Sequence, residues 1–237
     1  MAKPKISVVI PTYQEEKYIE STLKSLRNQD YDGAYEIIVA DGMSRDGTVR
    51  IAKKYADKVV VVKERGIAKG RNAGVREAKG DILLFVDADT VLLFNALSEI
   101  AKTFRDRNVV AVTCNVVPSS AEAKDFILYW IYKQFAKAST KTRKAQIAGI
   151  CFACRRSVFE EVGGFDESIE TAEDFDLSER ISKLGRIKFA ERTLAITSPR
   201  RLAKWGRMKG VRKYMEFYIN YLLTGRGISI DKYKPVR

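Results

Sequence analysis

The chain has 237 residues, 46% of them hydrophobic and 31% charged, the balance of a globular protein made of one large domain or of a domain with an extension. Lys and Arg outnumber Asp and Glu by 43 to 30, and much of the excess lies after Arg186. The resulting charge of +13 suits phosphorylated ligands, anionic lipid or nucleic acid without choosing among them. There is no histidine, which argues against zinc and haem chemistry and leaves a carboxylate, or less often Lys, Tyr or Cys, as a base near neutral pH.

The first residues lead straight into a strand without the pattern of a secretory signal, and no apolar run reaches the roughly 18–20 residues needed to cross a bilayer. Residues 6–10 read as a strand that ends in Pro11-Thr12-Tyr13-Gln14-Glu15. Residues 15–28 have helical spacing through Tyr18, Ile19, Leu23 and Leu26. A strand over 35–40 runs into Asp41-Gly42-Met43-Ser44, and a helix follows over 46–56 with Asp46 as its N-cap or first-turn acid. A β-branched strand at 58–62 precedes a helix at 66–78. The run Ile82-Leu83-Leu84-Phe85-Val86 reads as a strand buried on both faces, and it ends in Asp87-Ala88-Asp89. Helix 95–105 and strand 109–114 complete an alternation that implies parallel strands joined by right-handed crossovers.

After Pro118 the pattern changes. Residues 121–138 form an aromatic-rich helix, and 146–155 an apolar strand that carries Cys151 and Cys154. Their spacing resembles a metal site, but no second pair completes one. Buried strand cysteines in a reducing compartment are the better reading. A helix over 173–184, stopped by Gly185, precedes a strand over 186–190 and a basic, then aromatic, tail. Sparse Asn and Gln beside abundant Lys, Arg and Glu tilt weakly towards a heat-adapted source.

Parallel strands place their carboxyl ends on one edge of a sheet, where ligands of open α/β folds bind. Here that edge gathers the 11–15 loop, Asp41 and the Asp87, Asp89 pair. Two carboxylates one residue apart suit a hard cation that bridges phosphates; a solvated acidic turn is the plainer alternative. Asp174 and Asp176 could likewise be ordinary first-turn acids of a helix.

Taken in order, these segments together with Gly163-Gly164-Phe165-Asp166-Glu167 and Glu173-Asp174-Phe175-Asp176 resemble the inverting family 2 glycosyltransferases of GT-A fold, over roughly residues 6–184. The resemblance implies a Rossmann-like, mostly parallel α/β sheet flanked by helices, with C-terminal amphipathic helices. It implies a catalytic domain over 1–198, its nucleotide-sugar half about 1–118 and its acceptor half about 119–198, and a basic, aromatic extension over 199–237. Pro11, Thr12, Tyr13 and Glu15 match the loop that holds base and ribose, and Asp41 an acid that reads the base. Lys69 and Arg71, in Lys69-Gly70-Arg71-Asn72, match a segment near base and diphosphate. Asp87, Ala88 and Asp89 match the D-x-D motif, with Asp89 the better ligand of Mg²⁺ or Mn²⁺ and Asp87 also near the ribose. Asp174 matches the general base, with Glu173 beside it towards the acceptor. Arg201-Leu202-Ala203-Lys204-Trp205 loosely resembles the Q-x-x-R-W box of cellulose-synthase-like members, which puts Arg201 against the diphosphate and Trp205 towards the acceptor. Gln14 stands where the family usually has Asn, and Gly42 where a second acid follows the first.

The expected reaction transfers a hexose from GDP-mannose or UDP-glucose to a lipid-linked glycan or polyprenyl phosphate, in one metal-assisted displacement. Residues 124–138 and 211–223 mix aromatic and basic residues as interfacial helices do, or as core-facing helices with a basic outer face do. The first reading places the chain at the cytoplasmic face of a membrane, peripheral or as the soluble part of an anchored enzyme. A nucleotide- or nucleic-acid-binding module without transferase activity is the alternative, although no known nucleic-acid motif is present and no nucleic acid is expected as a partner. A nucleotidyltransferase would carry a Gly-rich phosphate loop near its N-terminus, which residues 11–15 are not.

Overall fold

The computed structural model describes residues 3–224. The chain alternates as expected through β1 (Ile6–Thr12), α1 (Ile19–Arg27), β2 (Tyr35–Asp41), α2 (Thr48–Tyr55), β3 (Lys58–Val61), α3 (Ile67–Glu77) and β4 (Ile82–Val86). A short β5 (Thr90–Leu92) follows, then α4 (Ala96–Thr103), β6 (Val109–Pro118), α5 (Ala123–Ser139), β7 (Cys151–Arg155) and α6 (Arg156–Glu161). The described chain closes with α7 (Glu173–Ser182), β8 (Arg186–Thr197), α8 (Arg200–Trp205) and α9 (Arg207–Thr224).

The eight strands form one sheet in the order β3-β2-β1-β4-β7-β6-β8-β5. Strands β3, β2, β1 and β4 run parallel, with Ile6 opposite both Tyr35 and Ile82. This register brings Thr12, Asp41 and the residues after Val86 to one edge. The strand β7 enters antiparallel between β4 and β6. The wide crossover from β4 to β6 therefore spans a neighbour that arrives later in the chain.

Two-residue periodicity splits the strands between two cores. Ile6, Val8, Ile10, Ile82, Leu84 and Val86 face one side, where α1, α2 and α4 pack through Ile19, Leu23, Leu26, Ile51, Leu97 and Ile100. Val9, Leu83 and Phe85 face the other, covered by Val75 of α3, Phe159 of α6 and Leu177 and Ile181 of α7. Helix α3 lies so close to β1 that a Cβ on Gly74 would stand 2.4 Å from Val9 Cγ1. Neither core takes a residue from α5 or α9.

Three differences from the expected elements have local causes. The apolar run from Gln146 is a strand only from Cys151; before that, its backbone is held by side chains, Ile147 N–H donating to Ser178 Oγ and Ala148 N–H to Tyr132 Oη. The last strand extends to Thr197, because its second half pairs antiparallel with β5. Gly47, not Asp46, is the N-cap of α2, and Asp46 accepts the Thr48 N–H at 3.1 Å from just outside it. Cys114, Cys151 and Cys154 are free thiols buried in β6 and β7. No described helix is long and apolar enough to cross a membrane.

Candidate active site

The carboxyl edge is built first by β1 and β2. Asp41 is fully buried at the end of β2, and its carboxylate accepts hydrogen bonds from Thr12 Oγ1 at 2.9 Å, Ser44 Oγ at 2.6 Å and Ser44 N–H at 2.8 Å. Asp41 thereby fixes the loop that follows it against β1. Gln14 takes a left-handed conformation, φ 55°, and donates its N–H to Ser44 Oγ. Glu15 N–H donates to Thr48 Oγ1 at 2.8 Å, so the loops after β1 and β2 close on each other. Pro11 is the next-to-last residue of β1, and its Cβ is 3.3 Å from where a Cβ on Gly70 would sit, so α3 approaches the same strand end. The Tyr13 ring is covered by the Arg65 guanidinium at 4.5 Å.

The end of β4 carries the acids. Ala88 is buried, and its carbonyl accepts from Thr22 Oγ1 at 2.8 Å, anchoring the turn on α1. Asp89 Oδ2 lies 2.9 Å from Nε of Arg200 and its side chain is 12% exposed. Burial lifts the Asp89 carboxyl to about 6; Arg200 opposes the shift, while the charges of Asp87 and Glu15 add to it. Asp89, Asp87 and Glu15 gather three carboxylates at this edge, with Arg200 and Arg71 as their cationic partners. The hard oxygen donors of these acids fit Mg²⁺ or Mn²⁺, which use one or two carboxylates and complete their shells with substrate phosphates. Among the described residues no three His, Cys, Asp or Glu side chains cluster into a cage of their own.

Arg71 links this edge to α7. It is 3% exposed, and its Nη2 reaches Asp87 Oδ1 and the Gly149 carbonyl, each at 3.1 Å, while Nη1 reaches Glu173 Oε1 at 2.9 Å. The guanidinium also lies over the Phe165 ring at 5.2 Å. Gly149 N–H in turn donates to Asp174 Oδ2 at 2.7 Å. Asp87, Arg71, Gly149 and Asp174 thus form one continuous chain of contacts. Burial pushes Glu173 up to about 7, helped by the neighbouring Asp174 charge and opposed by Arg71. Burial also raises Asp174, against the pull of Arg71 and the Gly149 N–H. Ala172, just before this pair, is left-handed at φ 68°, a strained conformation for a residue with a side chain. Asn72 pins the Gly163–Phe165 turn by donating to the Phe165 carbonyl at 2.8 Å and accepting its N–H at 3.1 Å.

Other residues singled out in the sequence have partners of their own, and the Arg201 charge also pulls on the Asp89 carboxyl. Lys69 pairs with Glu64 at the surface of the loop before α3. Arg201 lies over the Trp205 ring at 6.0 Å, and Lys213 covers the same ring at 4.6 Å, within the α8–α9 pair. Asp176 binds Arg180 and accepts from Tyr221 Oη at 3.4 Å, a contact that fastens α9 to α7.

Sequence reasoning did not single out Arg200, Tyr129 or Tyr214. Arg200 binds both Glu15 and Asp89. Tyr129 of α5 and Tyr214 of α9 have phenols raised first by burial; Asp87 and Asp89 push further in both. The acids of the cleft therefore act on one phenol of each helix. The aromatic content of residues 124–138 and the double arginine at 200–201 were the available signals.

A profile of Glycosyl transferase family 2 matches residues 7–163, well over half of the chain. Poly(ribitol-phosphate) beta-N-acetylglucosaminyltransferase TarS of Staphylococcus aureus is 36% identical over 104 residues, 41% of this chain and 18% of TarS. Glycosyltransferase AglE of Haloferax volcanii is 27% identical over 192 residues, 77% of this chain and 62% of AglE. The match spans less than two thirds of either relative. The solved mannosyltransferase PcManGT from Pyrobaculum calidifontis, in complex with GDP-Man and Mn²⁺, superposes with TM-score 0.73 at 24% identity, covering 96% of this chain and 67% of that one. That likeness shows a shared GT-A fold.

Proposed function

The chain belongs to glycosyl transferase family 2, and on that footing we propose that it moves a hexose from GDP-mannose or UDP-glucose to a lipid-linked glycan or polyprenyl phosphate with inversion at the sugar carbon. The observation that carries the reading is the Asp87–Arg71–Gly149–Asp174 chain, which sets the D-x-D acids and the E-D acids on one cleft. The GDP-Man and Mn²⁺ held by PcManGT make that pair the first to test.

In this reading the loop from Pro11 to Glu15 seats the nucleoside, with Tyr13 offering a ring face held by Arg65. Thr12 and Asp41 keep the shape of that loop through their mutual hydrogen bond. A divalent cation on Asp89 and Asp87, when bound, supplies Lewis-acid neutralisation of the departing diphosphate. Arg71 and Arg201 add positive charge around that group, the Arg201 charge already acting on Asp89.

Asp174 takes the proton from the attacking acceptor hydroxyl, as a carboxylate base does in an inverting displacement. The Gly149 N–H holds one of its oxygens, and burial raises its basicity, which brings a carboxylate nearer to the pH of the reaction. Glu173 is paired with Arg71, so its part is to orient Asp174 and the acceptor side of the cleft. Trp205, the last residue of α8, is assigned to the acceptor in this reading. In this reading residues 1–198 are the catalytic domain and 199–237 a basic, aromatic extension, of which 225–237 lie outside the described residues. The exposed apolar and basic faces of α5 and α9 support a membrane-surface position for the lipid-linked acceptor.

Calorimetry with GDP-mannose, UDP-glucose and UDP-GlcNAc, each with and without Mn²⁺, tests this reading. One donor should bind in a metal-dependent manner, and Asp89→Asn should abolish binding while Asp176→Asn preserves it. Asp174→Asn should bind the donor normally and lose roughly 10²–10⁴-fold in transfer. A folded protein that binds none of the three donors would sink the donor assignment.

A further inference from the structure

Arg200 occupies the acids that the proposed reaction needs. It enters from the first turn of α8 and is 185 positions away from Glu15 in the chain. Its Nη1 lies 2.7 Å from Glu15 Oε2, its Nη2 donates to Glu15 Oε1 at 2.8 Å, and its Nε lies 2.9 Å from Asp89 Oδ2. The Tyr18 ring covers the guanidinium at 4.4 Å, and the side chain is 13% exposed. The planar, permanently charged fork is therefore held between the carboxylates of the β1 loop and of the β4 end, with Nη1 facing Glu15 Oε2 as a charge contact without a hydrogen bond.

A hard divalent cation would use the same Asp89 oxygens, and two cations on one small set of carboxylates repel each other. Building on the metal-site reading above, we propose that Arg200 is an internal counter-ion. It neutralises the Glu15–Asp89 pair when no cation is bound and competes with the cation for Asp89. Glu15 is a second anchor, so Arg200 leaves Asp89 without leaving the cleft. The device keeps the empty acids from repelling each other apart, at the cost of weaker cation binding. It also ties the entry of α8 to the occupancy of the metal site, since Ser198 N–H, two residues before Arg200, donates to the Asp89 carbonyl at 3.2 Å.

The test uses the full chain and Mn²⁺ alone, with free Mn²⁺ read by electron paramagnetic resonance, and repeats the titration in the presence of GDP and of UDP. Arg200→Gln should bind Mn²⁺ roughly tenfold more tightly than the parent, and Arg200→Lys should fall between them, since coupling between two sites is typically of that order. The metal-free melting temperature of Arg200→Gln should drop, while its rise on adding Mn²⁺ should exceed that of the parent. A residue that only supports the fold would lower the melting temperature without tightening Mn²⁺ binding. Equal or weaker Mn²⁺ binding by Arg200→Gln, with binding abolished in Asp89→Asn, overturns the competition and leaves the metal site standing. Absence of Mn²⁺ binding in the parent and in every variant, with or without nucleotide, overturns both. Should Arg200→Gln not fold, Arg200→Lys decides by the same comparison.

Discussion

At the scale of single residues, the cleft is a set of carboxylates each restrained differently. Asp89 illustrates the sign of the effect. Its carboxyl is lifted from an ordinary 3.8 to about 6, so the folded state holds its proton more tightly than the unfolded chain does. The stabilisation that results is fully present below about pH 4 and is lost as pH rises through about 6. Two pH units correspond to about 3 kcal/mol. Urea unfolding with chelator present, between pH 4.5 and 7.5, should show the parent losing stability relative to Asp89→Asn as pH rises; parallel curves would contradict the assignment. Arg71 gives the complementary case. Removing it leaves Glu173 and Asp87 facing each other across a buried site, and breaking a buried pair costs about 3–5 kcal/mol. Because Glu173 sits near 7 even with Arg71 present, its carboxyl can neutralise at low pH. The loss in Arg71→Ala should therefore be smaller at pH 5 than at pH 8 in the same unfolding assay.

At the scale of elements, the half of the sheet from β3 to β4 was legible because each strand is followed by its own turn signature and helix. The run Ile82–Val86 could be read as doubly buried, and both cores do take residues from it. The insertion of β7 between β4 and β6 was not legible, since strand partners are chosen by contacts far apart in sequence. Phe152 lies opposite both Phe85 and Thr113, and no local pattern announces that. The same holds in the site: acids were visible as acids, but the Arg200 that binds them lies one residue before the box that drew attention to Arg201. Gly74 carries a testable consequence of the close packing of α3 on β1. A methyl group there meets the fully buried Val9 branch, and overpacking of a core costs about 1–3 kcal/mol. Gly74→Ala should lower the unfolding free energy from urea titration by that amount, with the slope unchanged. In the double variant with Val9→Ala the two losses should sum to less than their parts, by about 0.5 kcal/mol or more. Strict additivity would mean that α3 moves away from β1 as a unit.

At the scale of the whole molecule, the two cores take residues from every described helix except α5, α8 and α9. Helix α5 leaves Phe126, Ile127, Trp130, Ile131 and Phe135 exposed, with Trp130 61% accessible, and α9 adds Met215, Ile219, Leu222 and Leu223. Phe135 and Tyr218 meet edge to face at 6.0 Å, so the two helices share one apolar front. Lys124 of α5 and Lys209 and Lys213 of α9 belong to the same pair of helices in a chain of net charge +13. A front of that composition is attracted to an anionic bilayer by about 1 kcal/mol for each basic residue near the surface, and then held by aromatic burial. The two contributions separate experimentally. In sedimentation with vesicles containing about one-third anionic lipid, binding should weaken severalfold between low and high salt, because ions screen the first contribution within a Debye length. Replacing Ile127, Trp130 and Ile131 by Ser removes the second. Each apolar side chain is worth roughly 1.5–3 kcal/mol when fully buried, so even partial insertion predicts a drop of at least tenfold at any salt. The melting temperature should stay constant, since these side chains touch neither core. No association of the parent at low salt would remove the membrane from the proposal and leave the cleft chemistry untouched, because the Asp87–Arg71–Gly149–Asp174 chain uses none of these exposed side chains.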